Sequence, residues 1–236
     1  MSDIAQSVAI ATQLVLDFDP GLVAIVARSF TVSVSATVFA CLIGCTLGAL
    51  LGSRDFFGKR LTLLLLNTYV AIPAVVVGLI TYVLLSRSGP LGALGWLFSL
   101  QAMILAQTLL VIPLAATMTR QLIEDADRRI GEGLRSMGAG LPARALLLLI
   151  HERAALLTIL ITCFGRAIAE VGTVMMVGGN IDGFTRVMTT AIALETSKGD
   201  LPLAIGLGIV LLMAVLLLNL LLFAVAQRGP GQEARS

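Results

Sequence analysis

The 236-residue sequence is poor in the residues that most covalent chemistry requires: it has one histidine, His151, three cysteines and one tryptophan, and 13% of it is charged. That inventory leaves no material for a metal cluster or a disulfide scaffold. Cys41, Cys45 and Cys163 all lie in apolar runs, where packing is their ordinary use. An intramembrane enzyme would need convergent acid, base, nucleophile or metal groups, and one histidine plus one carboxylate in an apolar segment does not supply them. No catalytic residue and no metal site is expected. A GxxxxGK[ST] loop is also missing, so ATP is not held here by that route. The first 27 residues contain neither Lys nor Arg, which removes the basic start of a secretory signal, and no cleavage is expected. Sixteen basic and fourteen acidic residues nearly cancel. Where the charges fall therefore matters more than their sum, and no nucleic-acid partner is expected.

What the sequence has in abundance is hydrocarbon. With 58% hydrophobic residues and a mean hydropathy of +0.99, it reads as an all-α membrane helix bundle. A bilayer core roughly 30 Å thick needs about 20 apolar helical residues. Four charge-free stretches pass that test: Ser29 to Ser53, Leu61 to Ser86, Ser88 to Thr119 and Leu201 to Gln227. A fifth, Ala154 to Gly178, is interrupted only by Arg166 and Glu170, which a span tolerates where they face protein or water. The expected spans are about 29–52, 61–85, 98–118, 155–178 and 203–226, within a permease domain of residues 29–228. Gly89-Pro90-Leu91-Gly92 sets the start of the third near Phe98, with its end near Met118. Pro73 and Pro113 each fall inside a span and favour a bend. Asn67, Gln101, Gln107 and Asn219 suit helix-to-helix bonding better than a path lining.

Charge asymmetry chooses the orientation. With Arg54, Lys59, Arg60, the segment 119–153, Arg228 and a tail of residues 229–236 in the cytoplasm, eleven basic residues face inward and four face outward. The amino terminus is then outside and the carboxyl terminus inside. Residues 1–28 are expected to form an outward-facing amphipathic helix, with Ile4, Val8, Val15 and Ala5, Ala9, Leu16 as its apolar positions and Asp19-Pro20 starting the approach to the first span.

The segment 119–153 is polar but ordered. Ile130, Leu134 and Met137 recur at helical spacing from Asp127, Gly138-Ala139-Gly140 stops that helix, and Pro142 suits the start of another. Two short helices on a tight glycine turn make a projecting knob suited to docking. The run Glu132-Gly133-Leu134-Arg135-Ser136-Met137-Gly138-Ala139-Gly140 resembles the EAA loop of ABC importer permeases, with Glu132, Gly138 and Leu148 matching in spacing. Gly133 and Leu134 replace two alanines, and His151 stands where that family often has proline. The blocks Gly165 to Gly172, Met175 to Ile181 and Thr185 to Gly199 are similar to the corresponding stretch of oxyanion importer permeases, most of all the tungstate type, with the molybdate type next.

The resemblance implies a type I ABC importer permease fold of the MetI-like kind, in a bacterial cytoplasmic (inner) membrane, moving an oxyanion such as tungstate; a molybdate or sulfate permease and a passive anion channel are the alternatives. It implies that ATP and Mg sit on a separate ABC ATPase, present in two copies and docked at Glu132–Gly140, and that an extracytoplasmic binding protein delivers the anion. Five spans make a thin wall, so a homodimer with the path on its two-fold axis is expected. The candidate pathway and gate residues are Arg166, Glu170, Gly172, Gly178, Gly179, Asn180, Thr185, Arg186, Thr189 and Thr190. Arg166 and Glu170, four apart, would share one helix face as a structural pair; alternatively Arg166 faces the path and compensates a passing dianion. Gly178-Gly179-Asn180 should end the fourth span, and a short outer helix of about 13 residues, capped by Thr185 and stopped at Gly199, would follow as a gate or a packing element.

Overall fold

The computed structural model describes residues 8–227 apart from Ala11 and Leu14. The predicted tail 229–236 and residues 1–7 of the predicted outer helix, including Ile4 and Ala5, lie outside the described residues. From Pro20 on, the described residues form the α-helices α1 Pro20–Gly52, α2 Lys59–Ala71, α3 Ala74–Leu85, α4 Leu100–Ser136, α5 Leu141–His151, α6 Arg153–Ile168, α7 Gly172–Gly178, α8 Met188–Lys198 and α9 Leu201–Gln227. Three of them, α1, α4 and α9, are long and apolar enough to cross a membrane. The pairs α2 with α3 and α5 with α6 pass the same test together, each as a broken span or a re-entrant loop.

The boundaries follow local chemistry more than apolarity. Asp19 accepts a hydrogen bond from the Leu22 N–H at 2.9 Å, so α1 starts at Pro20, nine residues before its charge-free run. The predicted second span is not one helix. Pro73 supplies no N–H and forces Ile72 into an extended conformation (ψ 130°), so α2 stops at Ala71 and α3 begins at Ala74. Pro113 breaks nothing, because α4 runs through it. Nor does α4 end near Met118: its 37 residues run from Leu100 to Ser136, and the first arm of the predicted knob is its last turns. The predicted fourth span also divides. α6 ends at Ile168, and α7 is a separate seven-residue helix from Gly172.

The described residues form two compact units, one from residues up to Ser35, Pro73–Gln107 and Ala167–Asn219, the other from Ala36–Ile72, Thr108–Arg166 and the residues from Leu220 on. In the first, Val32, Leu85, Ala102, Met103, Ala106, Val174, Val177 and Val187 make the core. A Cβ on Gly78 would meet the Thr173 Cα at 3.0 Å, and one on Gly178 the Met103 Sδ at 2.8 Å, so these glycines let α3 and α4 approach α7 closely. In the second, Gly44, Gly48 and Gly52 line one face of α1. A Cβ on Gly44 would lie 2.7 Å from the Ala115 Cβ, one on Gly52 2.7 Å from the Arg120 carbonyl oxygen, and one on Gly48 would collide with the Ala116 carbonyl oxygen. Lipid tails are as apolar as leucine, so burying leucine against leucine gains little there. Close backbone approach at small residues is what holds such helices together.

Candidate functional site

The predicted docking knob stands in the second unit. Gly138 takes φ +78°, and around it the Ala139 N–H donates to the Leu134 carbonyl at 3.0 Å while the Gly138 N–H donates to Arg135 at 2.9 Å. That pair of bonds is a Schellman ending, which satisfies carbonyls that α4 would otherwise leave bare. Gly140 then extends (ψ 167°) and α5 starts, with Pro142 in its first turn. The tip is exposed: Glu132, Gly133, Arg135, Ser136, Met137, Gly138 and Gly140 all face outward, and Leu134 and Ala139 are half-buried. Ile130 and Leu134 pack on a core of Ala49, Ile123, Ala126, Ala145 and Leu148, joining α1, α4 and α5. Met137, predicted to share their face, does not join them and is 75% exposed. α5 meets α6 at a bend of 80°.

Ion pairs strap the knob to its base, and the sequence reading missed them. Arg144 on α5 pairs with Asp127 on α4 at 3.1 Å and donates to the Ser53 carbonyl at the end of α1. Arg135 shares Asp127 at 3.4 Å, and Arg129 pairs with Glu152 at 2.6 Å. Lys59 reaches Glu124 at 2.8 Å and Asp55 at 3.0 Å, and Arg120 also pairs with Glu124. Burial would lower the Lys59 pKa, but the hydrogen bonds it donates to Glu124 and Asp55 outweigh that and hold the ammonium above the usual lysine range. Burial would likewise raise Glu124. Its hydrogen bond with Lys59 and the Arg120 charge prevail, so the carboxyl stays below its usual range. Lys59, Glu124, Asp127 and Arg144 border a cavity of ≈ 330 Å³ that includes Arg54, Arg128 and Arg135 in its wall. The i, i+4 spacing of Arg120 and Glu124 was a readable signal; the pairs to Ser53 and Lys59 depend on tertiary proximity.

The segment from Gly178 to Gly199, predicted to lie outside, belongs to the first unit, and most of the predicted gate residues meet there. Gly179 (φ +70°) and Asn180 (φ +50°) turn the chain out of α7. Thr185 does not cap the next helix, which starts three residues later at Met188. Its hydroxyl donates to the Gly178 carbonyl at 2.5 Å and accepts from the Ile181 N–H at 2.9 Å, closing the loop on itself. Thr190 takes the capping role, accepting from the Val187 N–H at 3.2 Å. The Asn180 amide donates to the Thr190 carbonyl. Arg186 pairs with Asp182 at 3.1 Å and with buried Glu195 at 3.7 Å. Two residues absent from the prediction anchor this segment to α1. Ser29 Oγ accepts from the Met188 N–H at 2.7 Å, and Arg28 donates to the carbonyls of Arg186 and Gly183 at 3.1 and 3.0 Å.

Arg166 lies in the last turn of α6, and Glu170 follows the end of that helix at Ile168. The helix ends between them, because Glu170 leaves the helical path and its carboxylate accepts from the Thr173 N–H at 3.0 Å, starting α7. Glu170 is buried, and its carbonyl accepts from the Thr189 hydroxyl at 2.7 Å. With Ser29, Ser33, Gln107 and Thr189 it borders a water-sized space of ≈ 10 Å³. Gln107 bonds across helices to the Ala167 carbonyl at 3.0 Å. Gly172 packs on Val75, where a Cβ would sit 2.7 Å from Cγ2. Arg166 is exposed on α6, one turn beyond Thr162 and two beyond Thr158.

Three helices long and apolar enough to cross a membrane, with two broken pairs that pass the same test, make this a multi-pass membrane protein, and its family match puts it in the permease class. The chain belongs to the family of binding-protein-dependent transport system inner membrane components, whose model matches residues 44–228. It is 41% identical over 228 residues to the tungstate uptake system permease protein TupB of Peptoclostridium acidaminophilum, covering 96% of this chain and 100% of that one. It is 38% identical over 219 residues to a probable anion ABC transporter permease protein of Haloferax volcanii, covering 91% and 94%. The TupB of Campylobacter jejuni is 40% identical over 166 residues, 70% of this chain and 69% of its own. The protein is therefore a transport component of an uptake system and not an enzyme.

Proposed function

We propose that the chain is the permease of an ATP-driven importer that carries an oxyanion, tungstate, across the cytoplasmic membrane. The substrate rests on one observation: 41% identity to a tungstate uptake permease along that protein's full length. Two copies form the path on a two-fold axis, two ATPase subunits grip the knob at Glu132–Gly140, and an extracytoplasmic binding protein delivers the anion to the outer segment. The amino terminus faces out and the carboxyl terminus faces the cytoplasm, which puts the exposed knob and most basic residues on the ATPase side.

Hydrolysis closes the ATPase pair and moves the two knobs. The Arg144, Asp127 and Ser53 strap passes that movement to α1 and α4 instead of letting the hairpin swing alone. Arg166 faces the path. A guanidinium exposed on an apolar helix does not face lipid cheaply, and the nearby Thr158 and Thr162 give that side of α6 a polar character.

Vesicles holding the permease, ATPase and binding protein should accumulate radiolabelled tungstate only with ATP, and excess molybdate should compete more weakly. Accumulation without the ATPase would make the protein a channel, and stronger competition by molybdate or sulfate would reassign the substrate. Arg166→Gln should slow uptake more than Arg166→Lys, with equal amounts of folded permease; equal rates in the two would remove Arg166 from the path.

A further inference from the structure

The short connection between α1 and α2, Ser53 to Gly58, carries a feature that neither the knob nor the outer segment uses. Phe57 is 106% exposed, the most exposed of the large hydrophobic side chains described. Gly58 holds it there: its φ of +86° turns the chain sharply before α2, and a side chain at that position would meet nothing within 4 Å. Phe56 stays half-buried beneath the Arg54 guanidinium, 5.1 Å from its ring centroid.

Charge around this phenylalanine is unbalanced. Lys59 is committed to Asp55 and Glu124. Arg54 and Arg60 are exposed, and neither pairs with a carboxylate among the described residues. Beside them opens a cleft of ≈ 420 Å³ lined by Asp55, Phe56, Gly58, Lys59, Arg60 and Leu63. Below the cleft the surface changes within two helical turns from cationic to hydrocarbon, with Leu61, Leu64 and Leu65 at 60%, 62% and 61% exposure and no residue of α2 buried.

We propose that this cleft binds the headgroup of an anionic phospholipid. Arg54 and Arg60 contact its phosphate, Phe57 lies at headgroup depth, and the acyl chains run along Leu61, Leu64 and Leu65. The order of the surface selects a lipid over a soluble anion or a protein partner: unpaired guanidinium groups, then an exposed aromatic ring, then bare leucine, is the profile of a leaflet from headgroup to tail. A free phosphate would leave the ring and leucines without a role. The inference rests on the membrane reading of α1 and α2, and not on the identity of the transported anion.

The test uses full-length permease alone, without ATPase, binding protein or tungstate, so a failure of the transport assignment leaves it intact. Protein extracted from vesicles of equimolar phosphatidylglycerol and phosphatidylcholine is weighed by native mass spectrometry, and the ratio of the two retained lipids is read. Phosphatidylglycerol should be enriched on the native protein. Arg60→Gln should lower the ratio about fivefold and R54Q/R60Q about 25-fold, while R54K/R60K keeps it, since each surface cation contributes about one such factor. A ratio near one on the native protein, or no change in R54Q/R60Q, would overturn the proposal. In a separate pull-down with the ATPase added, a Phe57→Ser variant that keeps the lipid ratio but no longer copurifies with the ATPase would also overturn it, assigning the surface to that partner.

Should R54Q/R60Q not fold, Phe57→Trp in a Trp96→Phe background gives a chain with one tryptophan. Its fluorescence should be quenched more by brominated phosphatidylglycerol than by brominated phosphatidylcholine. Equal quenching by the two, or none, refutes the site.

Discussion

Gly138 offers a test in which conformation and crowding separate cleanly. At φ +78° it lies in the left-handed region, yet a Cβ placed there meets nothing within 4 Å. Alanine would therefore pay only for the backbone, roughly 1–2 kcal/mol, while asparagine, which visits this region readily, would pay less, and valine more. One to two kcal/mol is a factor of about 5–30 between the turned and opened hairpin. If the ATPase grips the turned form, its copurification with the permease and the ATP hydrolysis stimulated by loaded binding protein should rank native, Gly138→Asn, Gly138→Ala, Gly138→Val. Surface expression should not change, because Ile130, Leu134 and Leu148 hold the base independently. Two outcomes defeat the reasoning. Alanine as good as glycine would mean the turn is not needed in this form, and asparagine as harmful as valine would mean that the partner rejects any side chain there, whatever the φ angle.

Three further outcomes follow from the packing. Gly48→Leu should destabilise the detergent-solubilised protein by about 1–3 kcal/mol, because the added atoms meet α4 backbone that no rotamer change can clear; an unchanged melting curve would refute the seam. Ser29→Ala leaves the buried Met188 N–H without its acceptor, at a cost of about 1–3 kcal/mol, and should speed hydrogen exchange at the start of α8 while the knob's exchange stays the same. Glu124 has a folded-state pKa below its usual range, so its contribution is present above about pH 4.3 and is lost as pH falls through the lower folded value. Glu124→Gln should therefore flatten the acid side of the stability profile; an unaltered acid limb counts against the pairing. Lys59, raised, gives the opposite sign: its contribution is present below about pH 10.4 and is lost as pH rises through the higher folded value.

The sequence made some of this legible and left the rest unreadable for physical reasons. The apolar runs mark where helices lie, since a run of about 20 apolar residues can satisfy all its backbone groups in lipid only by coiling on itself, a barrel strand being far shorter. Helix ends proved harder. A charge-free stretch ends at Thr119, but α4 does not, because a helix needs only its own hydrogen bonds to leave the bilayer. The turn at Gly138 was visible because φ > 0 favours glycine, and the break at Ile72 because of Pro73. Thr185 was misread, since a threonine near a helix start can equally tie its own loop, as it does here to Gly178 and Ile181. Contacts such as Arg28 with Gly183, or Arg144 with Ser53, join residues more than 90 positions apart and leave no local trace. The Gly44, Gly48, Gly52 series did leave one, the small-residue repeat at every fourth position.

One guanidinium works as the rivet of the second unit. Arg144 on α5 reaches Asp127 on α4 and the Ser53 carbonyl at the end of α1, so a single side chain fastens three helices at one point. Shortening it would loosen all three at once, where the loss of a surface pair would loosen none.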